Sequence, residues 1–482
     1  MRIFCLQYKE LLQPYNQWWD NPEEALKTLP TFRRPIFDEI FRGLKETPQV
    51  ISITGPRRVG KSTLIKQVVK SLIAESVSPS HIIYYSMDDP ALYRSGIDHA
   101  SFFDALMDYA RNRTGEQVLY LFLDEIQRFE RWELFLKKYY DLHYPVRFTI
   151  SGSASSPIFR KSRESLLGRI KDYHMLPFSF REFLLYKNRA DEQMVGRLEE
   201  IYKTGEAVMG MLTKHPEYAD LKKVTIPAVA TDLRSSIDAG LSEFLMEGGF
   251  PEVWTLPDWE TKQSYLFDNH VEKVILEDLV LAVELRKPER LKRFYISLLE
   301  TPGREINWQQ LSQELNINRA TIEKYFPMLE MTDLIHHVEK FTKSPLKVRR
   351  GNVKCYLVDL ALRNAVLRLQ ETLLQDTNTL GLYAENLVFN ALRKWEGTVS
   401  LSYYREKTYE VDFIVHTGAG TYLPFEVKYK ENIENAELRI LRNICDKLKC
   451  SKGIVVTKKW DDFGVKENLF YMPLPHFLLL FD

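Results

Sequence analysis

"GPRRVGKST", residues 55–63, decides how the first half of the chain is read. Gly55, four residues, Gly60, Lys61 and Ser62 fit the spacing G-x-x-x-x-G-K-S. A loop of this kind turns backbone N–H groups around a β-phosphate, and glycine tolerates both the backbone angles and the close approach. Lys61 is placed to reach the β- and γ-phosphates and Ser62 to hold Mg²⁺, with Pro56, Arg57, Arg58, Val59 and Thr63 completing the cradle. The flanks match. "QVISITG" before the loop reads as a buried strand, and "KSTLIKQVVKSLI" after it as an amphipathic helix. An ordinary turn before a basic helix needs no such frame; a nucleotide site does.

Working outward, "HIIYYSMDD", "VLYLFLDE" and "VRFTISGS" are near-continuous apolar runs, as parallel strands covered on both faces require. With helical stretches between them they predict an α/β domain over residues 31–185, a parallel sheet with helices on both faces. "LYLFLDEIQ" ends in Asp124 and Glu125. Asp124 at a strand end suits the Mg²⁺ water shell, and Glu125 beside it suits a general base that polarises the attacking water. A further strand lies between this one and the phosphate-loop strand in the chain, which argues for ATP rather than GTP hydrolysis. In "TISGSAS", Ser151 and Ser153 are candidates for the γ-phosphate or the water, against a plain Ser/Gly-rich turn. Arg169 is a candidate sensor or arginine finger, against a surface arginine.

The 482 residues are 45% hydrophobic and 27% charged, the balance of a folded chain of several domains. Formal net charge is zero, so any nucleic-acid contact must come from a local patch. No apolar run approaches the ~18 residues of a membrane span, and "MRIFCLQYKE" does not read as a signal peptide. Four scattered cysteines read as free thiols of a cytoplasmic protein.

Residues 1–30 form a lead-in that pattern does not resolve. Residues 186–287 read as a helical insertion and lid-like region without strand signal. Within 288–350, Leu311, Leu315, Ile317, Ile322, Tyr325, Phe326 and Leu329 mark two short helices around "NIN", followed by the strand-like "LIHHVEKF": the outline of a winged helix-turn-helix. Pro327 is expected to kink the second helix. Asn318, Arg319, Thr321 and Lys324 open that helix and are candidates for base edges. The run from Lys340 to Lys354 carries Lys343, Lys347, Arg349 and Arg350 and no acid; it is a basic stripe suited to DNA phosphates. A solvated charged loop is the alternative.

Residues 351–482 read as a second α/β domain. "EVDFIV" holds Asp412, and "PFEVKY" holds Glu426 and Lys428, which share a strand face. Two carboxylates on one face make a hard-oxygen site for Mg²⁺ or Mn²⁺. Glu385, in the helix "GLYAENLVFNAL", is placed to complete it. This is the D…E-x-K arrangement of PD-(D/E)XK nucleases.

"GPRRVGKSTL", "LFLDEIQ", "ISGSASS" and "LLGR…LPFSFREFL" together resemble a family of prokaryotic AAA-type ATPases related to the STAND/MNS group. The later "GGFPEV", the winged helix and "EVDFIV…PFEVKY" resemble the C-terminal region of the same family. The resemblance covers roughly residues 31–430. It implies an ATPase, a helix-turn-helix and a restriction-endonuclease-like tail, with the 186–240 stretch longer than the family outline needs. The resulting expectation is an ATP-hydrolysing, DNA-associated protein, able to form homo-oligomers, whose tail cuts DNA with Mg²⁺ or Mn²⁺. The alternative is an ATP-dependent switch whose winged helix and tail only bind nucleic acid or protein.

Overall fold

The computed structural model describes residues 10–94, 98–114, 117–153, 166–214, 228–280, 285–342, 353–395, 397, 399–406, 409–417, 421–450 and 453–482. They fall into two compact units. The first gathers the described residues of Met1–Leu176, Glu277–Arg286 and Met331–Asp333; the second gathers those of Pro177–Leu276, Lys287–Glu330 and Leu334–Asp482.

The first unit is built on β1 (Val50–Gly55), β2 (Ile82–Ser86), β3 (Leu119–Asp124), β4 (Val146–Ser153) and β5 (Ile170–His174), in the order β2-β3-β4-β1-β5. Every pairing is parallel. Helices α1 (Ile36–Glu46), α2 (Lys61–Ala74), α3 (His99–Thr114) and α4 (Trp132–Asp141) flank the sheet. All six residues of β1 are buried, which is why its sequence shows no alternation. The register Ile53↔Ser151, Leu123↔Ile150 and Ser86↔Asp124 sets Gly55, Ser151 and Asp124 along the carboxyl ends of the strands. That edge is where open α/β sheets bind ligands.

The lead-in belongs to this unit. Asn16 is fully buried; its Nδ2 donates to the Leu12 and Tyr84 carbonyls at 2.7 and 2.8 Å, and its Oδ1 accepts from the Tyr84 N–H. Trp18 and Trp19 donate to the Ile82 carbonyl. These side chains satisfy the free edge of β2, which otherwise exposes unpaired backbone groups. Pattern analysis found no element here because the contact is made by side chains.

The second unit opens with α5 (Phe180–Lys187), α6 (Glu192–Lys214), α7 (Thr231–Glu247) and α8 (Trp259–Leu266). No strand occurs among the described residues of 186–287, as expected. Gly205 of α6 approaches so closely that a Cβ there would lie 1.9 Å from the Leu480 carbonyl oxygen. Helix α6 is therefore packed onto the C-terminal helix of its own unit.

Next come α9 (Pro288–Glu300), α10 (Trp308–Leu315) and α11 (Arg319–Met331), then β6 (Ile335–Glu339) paired antiparallel with β7 (Val353–Leu357). Asn316, in the left-handed region at φ 51°, caps α10 and makes the turn to α11. Pro327 lies inside α11 without ending it. Helix α12 (Leu360–Val366) leads to α13 (Thr377–Arg393), whose first turn is capped by Asp376.

The second sheet is mixed: β8 (Ser400–Glu406), β9 (Tyr409–His416), β10 (Tyr422–Lys428), β11 (Gly453–Thr457), β12 (Gly464–Lys466) and β13 (Leu469–Pro473), in the order β12-β13-β11-β10-β9-β8. Helix α14 (Arg439–Leu448) buries Leu441, Ile444 and Leu448 against Val411, Val455 and Leu469. The last helix, α15 (Leu474–Phe481), is buried along its whole length. Among the described residues, no helix is long and apolar enough to cross a membrane. Cys355, Cys445 and Cys450 are free thiols.

Candidate functional site

Gly55 ends β1 at φ 143°, and a Cβ there would lie 2.0 Å from the Met175 carbonyl oxygen. Gly60, at φ 99°, is the N-cap of α2. Both glycines are thus required by geometry, one by crowding and one by backbone angle. Arg34 steadies the loop by donating to the carbonyls of Val59 (3.3 Å) and Leu176 (2.8 Å). Lys61 is buried and folds back on its own loop, its ammonium donating to the Gly55 and Pro56 carbonyls at 2.9 and 2.6 Å. Burial depresses the Lys61 pKa, against the pull of Glu125, Asp124 and Asp333.

Asp124 is 3% exposed and collects four donors. Ser62 and Tyr84 donate to Oδ2 at 2.6 and 2.8 Å; Ser151 and the Glu125 N–H donate to Oδ1. The Ser62 hydroxyl and the Asp124 carboxylate are the hard oxygens that Mg²⁺ takes, so this pair fits the ion. Glu125 sits in the left-handed region at φ 50°, ψ 40°, a strained setting for a non-glycine residue. Burial raises its pKa, Lys61 opposes the rise, and Gln127 donates to it.

Sequence reasoning missed several neighbours. Tyr84 binds Asp124. Arg57 is ion-paired with Asp278. His174 bridges the Thr54 hydroxyl (2.9 Å) and the Asp333 carboxylate (3.0 Å). Asp278 and Asp333 are more than 150 residues from the loop in sequence, so no local pattern points to them.

Two expectations are corrected. Ser151 is fully buried with its hydroxyl on Asp124, so it orients that carboxylate instead of facing a phosphate. Arg169 lies at the other end of the sheet: its carbonyl accepts from the Val50 N–H where β1 begins, and its guanidinium pairs with Asp141 at 2.7 Å. It does not reach the phosphate loop of its own chain. The Ser153 side chain lies outside the described residues.

The second unit brings Glu385, Asp412, Glu426 and Lys428 together with Lys354, and with Tyr356, Asn386 and Glu410, which the sequence did not single out. Asn386 docks α13 on β7, exchanging 2.8 Å hydrogen bonds with the backbone of Leu357. That docking sets Glu385 beside Lys354 and Tyr356, which donate to Glu385 Oε1 at 3.0 and 2.7 Å. Between Ser402↔Ile414 and Tyr404↔Val411 the β8 strand advances two residues and β9 three, so β9 carries one extra residue at Asp412–Phe413. A bulge re-aims side chains and ends regular pairing. On its other side β9 pairs with β10 as far as Phe425↔Phe413, and beyond that the Val427 N–H donates to Asp412 Oδ2 at 2.8 Å.

Lys354 was expected at the end of a basic stripe suited to DNA phosphates. It is 2% exposed, with its ammonium 2.7 Å from Glu410, 3.0 Å from Glu385 and 3.8 Å from Asp412. Burial alone lowers its pKa, but Glu385, Asp412 and Glu410 outweigh that and hold it well above the ordinary lysine range. Lys428 is ion-paired with Glu426 Oε1; Glu426 Oε2 is buried and has no hydrogen-bond partner. Burial, then the Asp412 charge, pushes Glu385 up to about 7 and Glu426 up to about 8. Among the described residues no three His, Cys, Asp or Glu side chains converge on one ion position. The orphaned Glu426 oxygen beside Asp412 fits a cation held by two carboxylates.

At the start of α11, Asn318, Arg319 and Lys324 are exposed and Thr321 is half-buried. Asn318 caps the helix through the Ala320 N–H, and Arg319 pairs with Glu323 at 2.8 Å. Lys343, Lys347, Arg349 and Arg350 lie outside the described residues.

Residues 47–184 match the family model of an AAA domain. Residues 238–373 and 380–477 match two domains of unknown function, DUF8612 and DUF4143. An uncharacterised protein of Methanocaldococcus jannaschii is 23% identical over 449 residues, 90% of this chain and 85% of its own. One of Haemophilus influenzae is 24% identical over 423 residues, 86% and 90% of the two chains. Among solved structures, AMPPCP-bound DnaA from Aquifex aeolicus covers 64% of this chain and 92% of its own, at 12% identity and TM-score 0.26. The Saccharomyces cerevisiae Hsp104–ADP complex covers 78% and 57%, at 14% and 0.30. That likeness carries no residue across. The matched model and the loop geometry agree that the first unit is an AAA-type P-loop domain.

Proposed function

We propose that the chain binds and hydrolyses ATP at Gly55–Thr63 and acts on DNA, with a nuclease-type acidic site in the second unit. The observation that carries the ATP reading is Asp124, bonded to Ser62 at the start of α2 with Glu125 beside it. Ser62 and Asp124 would hold Mg²⁺, which would supply charge neutralisation for the phosphates. Lys61 swings from its loop carbonyls to the phosphates and offsets their charge. Glu125 accepts the proton of the attacking water; its desolvated carboxylate is the more basic for being buried.

Three helices followed by an antiparallel hairpin that runs on into β7 support reading residues 288–350 as a winged helix, with the exposed Asn318, Arg319 and Lys324 toward DNA and the basic stripe of Lys343, Lys347, Arg349 and Arg350 for its phosphates. Glu385, Asp412, Glu426 and Lys428, gathered on one site, support the PD-(D/E)XK reading of the tail. Asp412 and Glu426 would hold the divalent ion, whose charge stabilises the scissile phosphate, while Lys428 orients water or offsets charge beside it. One observation favours the second reading, a tail that binds without cutting: Lys354 and Lys428 already balance part of the acidic charge.

A cleavage and band-shift assay on single-stranded, duplex and branched DNA, with ATP and Mg²⁺ or Mn²⁺, tests the proposal. Cleavage by the wild type, lost in Asp412→Ala and Lys428→Ala, is the expected result. Binding without cleavage moves the tail to the second reading; neither binding nor cleavage removes DNA from the account.

A further inference from the structure

The acidic cluster of the second unit is divided between two kinds of cation. Four carboxylates meet there: Glu385, Glu410, Asp412 and Glu426. Acids this close, three of them largely buried, are disfavoured as charges unless a cation or a proton neutralises them. Lys354 supplies a cation on one side, contacting Glu410, Glu385 and, at the longer distance of 3.8 Å, Asp412. Its place is fixed by backbone. The Gly303 N–H bonds the Cys355 carbonyl at 2.7 Å, the Ile306 N–H bonds the Val353 carbonyl at 2.8 Å, and β6 pairs on the other side. Asn386 then holds α13 against the same strand. The Lys354 backbone is therefore held from both sides, and its ammonium is held by the acids it contacts.

The other side differs. Glu426 has one oxygen on Lys428, and its second, buried oxygen has no partner. A polar atom in that condition costs free energy unless something fills the place. Asp412 stands between the two sides, one oxygen on the Val427 N–H and the other facing Lys354. The cluster therefore holds the Lys354 ammonium at the Glu385 end and, at the Asp412–Glu426 end, a buried carboxylate oxygen with no hydrogen-bond partner among the described residues.

We propose that the site takes a single divalent cation, between Asp412 and Glu426, and that the Lys354 ammonium is a built-in second cation which removes Glu385 from the metal-ligand set. Lys354 thereby assists any phosphate chemistry there as a fixed positive charge, and Glu385 is a positioning residue for Lys354. This rests on the nuclease-type reading of the tail. It differs from that reading's simplest form, in which Glu385 completes the metal shell.

Mn²⁺ binding to the nucleotide-free full chain tests it, by calorimetry and by the Mn²⁺ electron paramagnetic resonance signal. The tail contribution is the difference between the wild type and Asp412→Asn. One equivalent is expected, lost in Glu426→Gln and retained within about threefold in Glu385→Gln. Lys354→Met, where it folds, is expected to gain a second equivalent that Glu385→Gln abolishes. The comparison of wild type, Glu385→Gln and Glu426→Gln stands without that variant. Two equivalents in the wild type, or loss of binding in Glu385→Gln equal to that in Glu426→Gln, overturns the proposal while leaving the nuclease-type reading in place. No equivalent in the wild type overturns both.

Discussion

The phosphate loop and the acidic cluster each pair buried carboxylates with a buried lysine, in opposite ways. In the first unit, Lys61 turns to the carbonyl oxygens of its own loop, and Asp124 is satisfied by hydroxyls and one N–H. Among the described residues no salt bridge locks the lysine. In the second unit, Lys354 is locked by two carboxylates within 3.0 Å and a third at 3.8 Å. Hydrogen bonds to uncharged carbonyls leave a cation able to move to an incoming ligand; direct ion pairs make it part of the fold. The first arrangement suits a site that exchanges a charged substrate. The second suits a permanent charge.

The contrast is broken most readily by removing each lysine. Lys354→Ala leaves buried acids without their cation, and removing one partner of a buried pair costs about 3–5 kcal/mol. Lys61→Ala removes hydrogen bonds to two carbonyls and is expected to cost on the order of 1–2 kcal/mol, while abolishing nucleotide binding. Urea denaturation of the two variants reads the difference. Equal losses would erase the distinction between a movable and a structural lysine.

A smaller effect sharpens it through pH. Glu385 and Glu426 are pushed up to about 7 and about 8 from the ordinary glutamate value of 4.5. The folded state therefore binds their protons more tightly than the unfolded chain does. Stability from this source is fully present below about 4.5 and is lost as pH rises through 7 and 8, at up to about 1.4 kcal/mol per pH unit for each group. The unfolding midpoint of the second unit is expected to fall between about pH 5 and pH 8.5, and Glu426→Gln to flatten that fall. A midpoint that rises over the same interval contradicts the burial of these acids.

The two regions also differ in how far their sequence could be read. The phosphate loop is local: nine consecutive residues between a strand and a helix carry Gly55, Gly60, Lys61 and Ser62, and Asp124 announces itself at the end of an apolar run. The parallel sheet followed from the same runs. The acidic cluster is assembled from β7, α13, β9 and β10. Asp412, Glu426 and Lys428 were legible as a D…E-x-K spacing, but the bulge in β9 has no signature in "EVDFIV". Lys354 was read with its basic neighbours because charge along a chain does not reveal which side chain turns inward. Ser151 and Arg169 erred for a related reason. Each was placed at the phosphates by its position beside a predicted strand, and only register shows Ser151 beneath Asp124 and Arg169 at the far strand end.

The account's central claim is that the first unit hydrolyses ATP with Glu125 as the base. Its most direct test is ATP turnover by Glu125→Gln, with nucleotide affinity measured on the same protein. Glutamine keeps the shape and the hydrogen bond to Gln127 but cannot accept a proton. Affinity should stay near that of the wild type while turnover falls ~10²–10⁴-fold. Wild-type turnover in Glu125→Gln would contradict the claim.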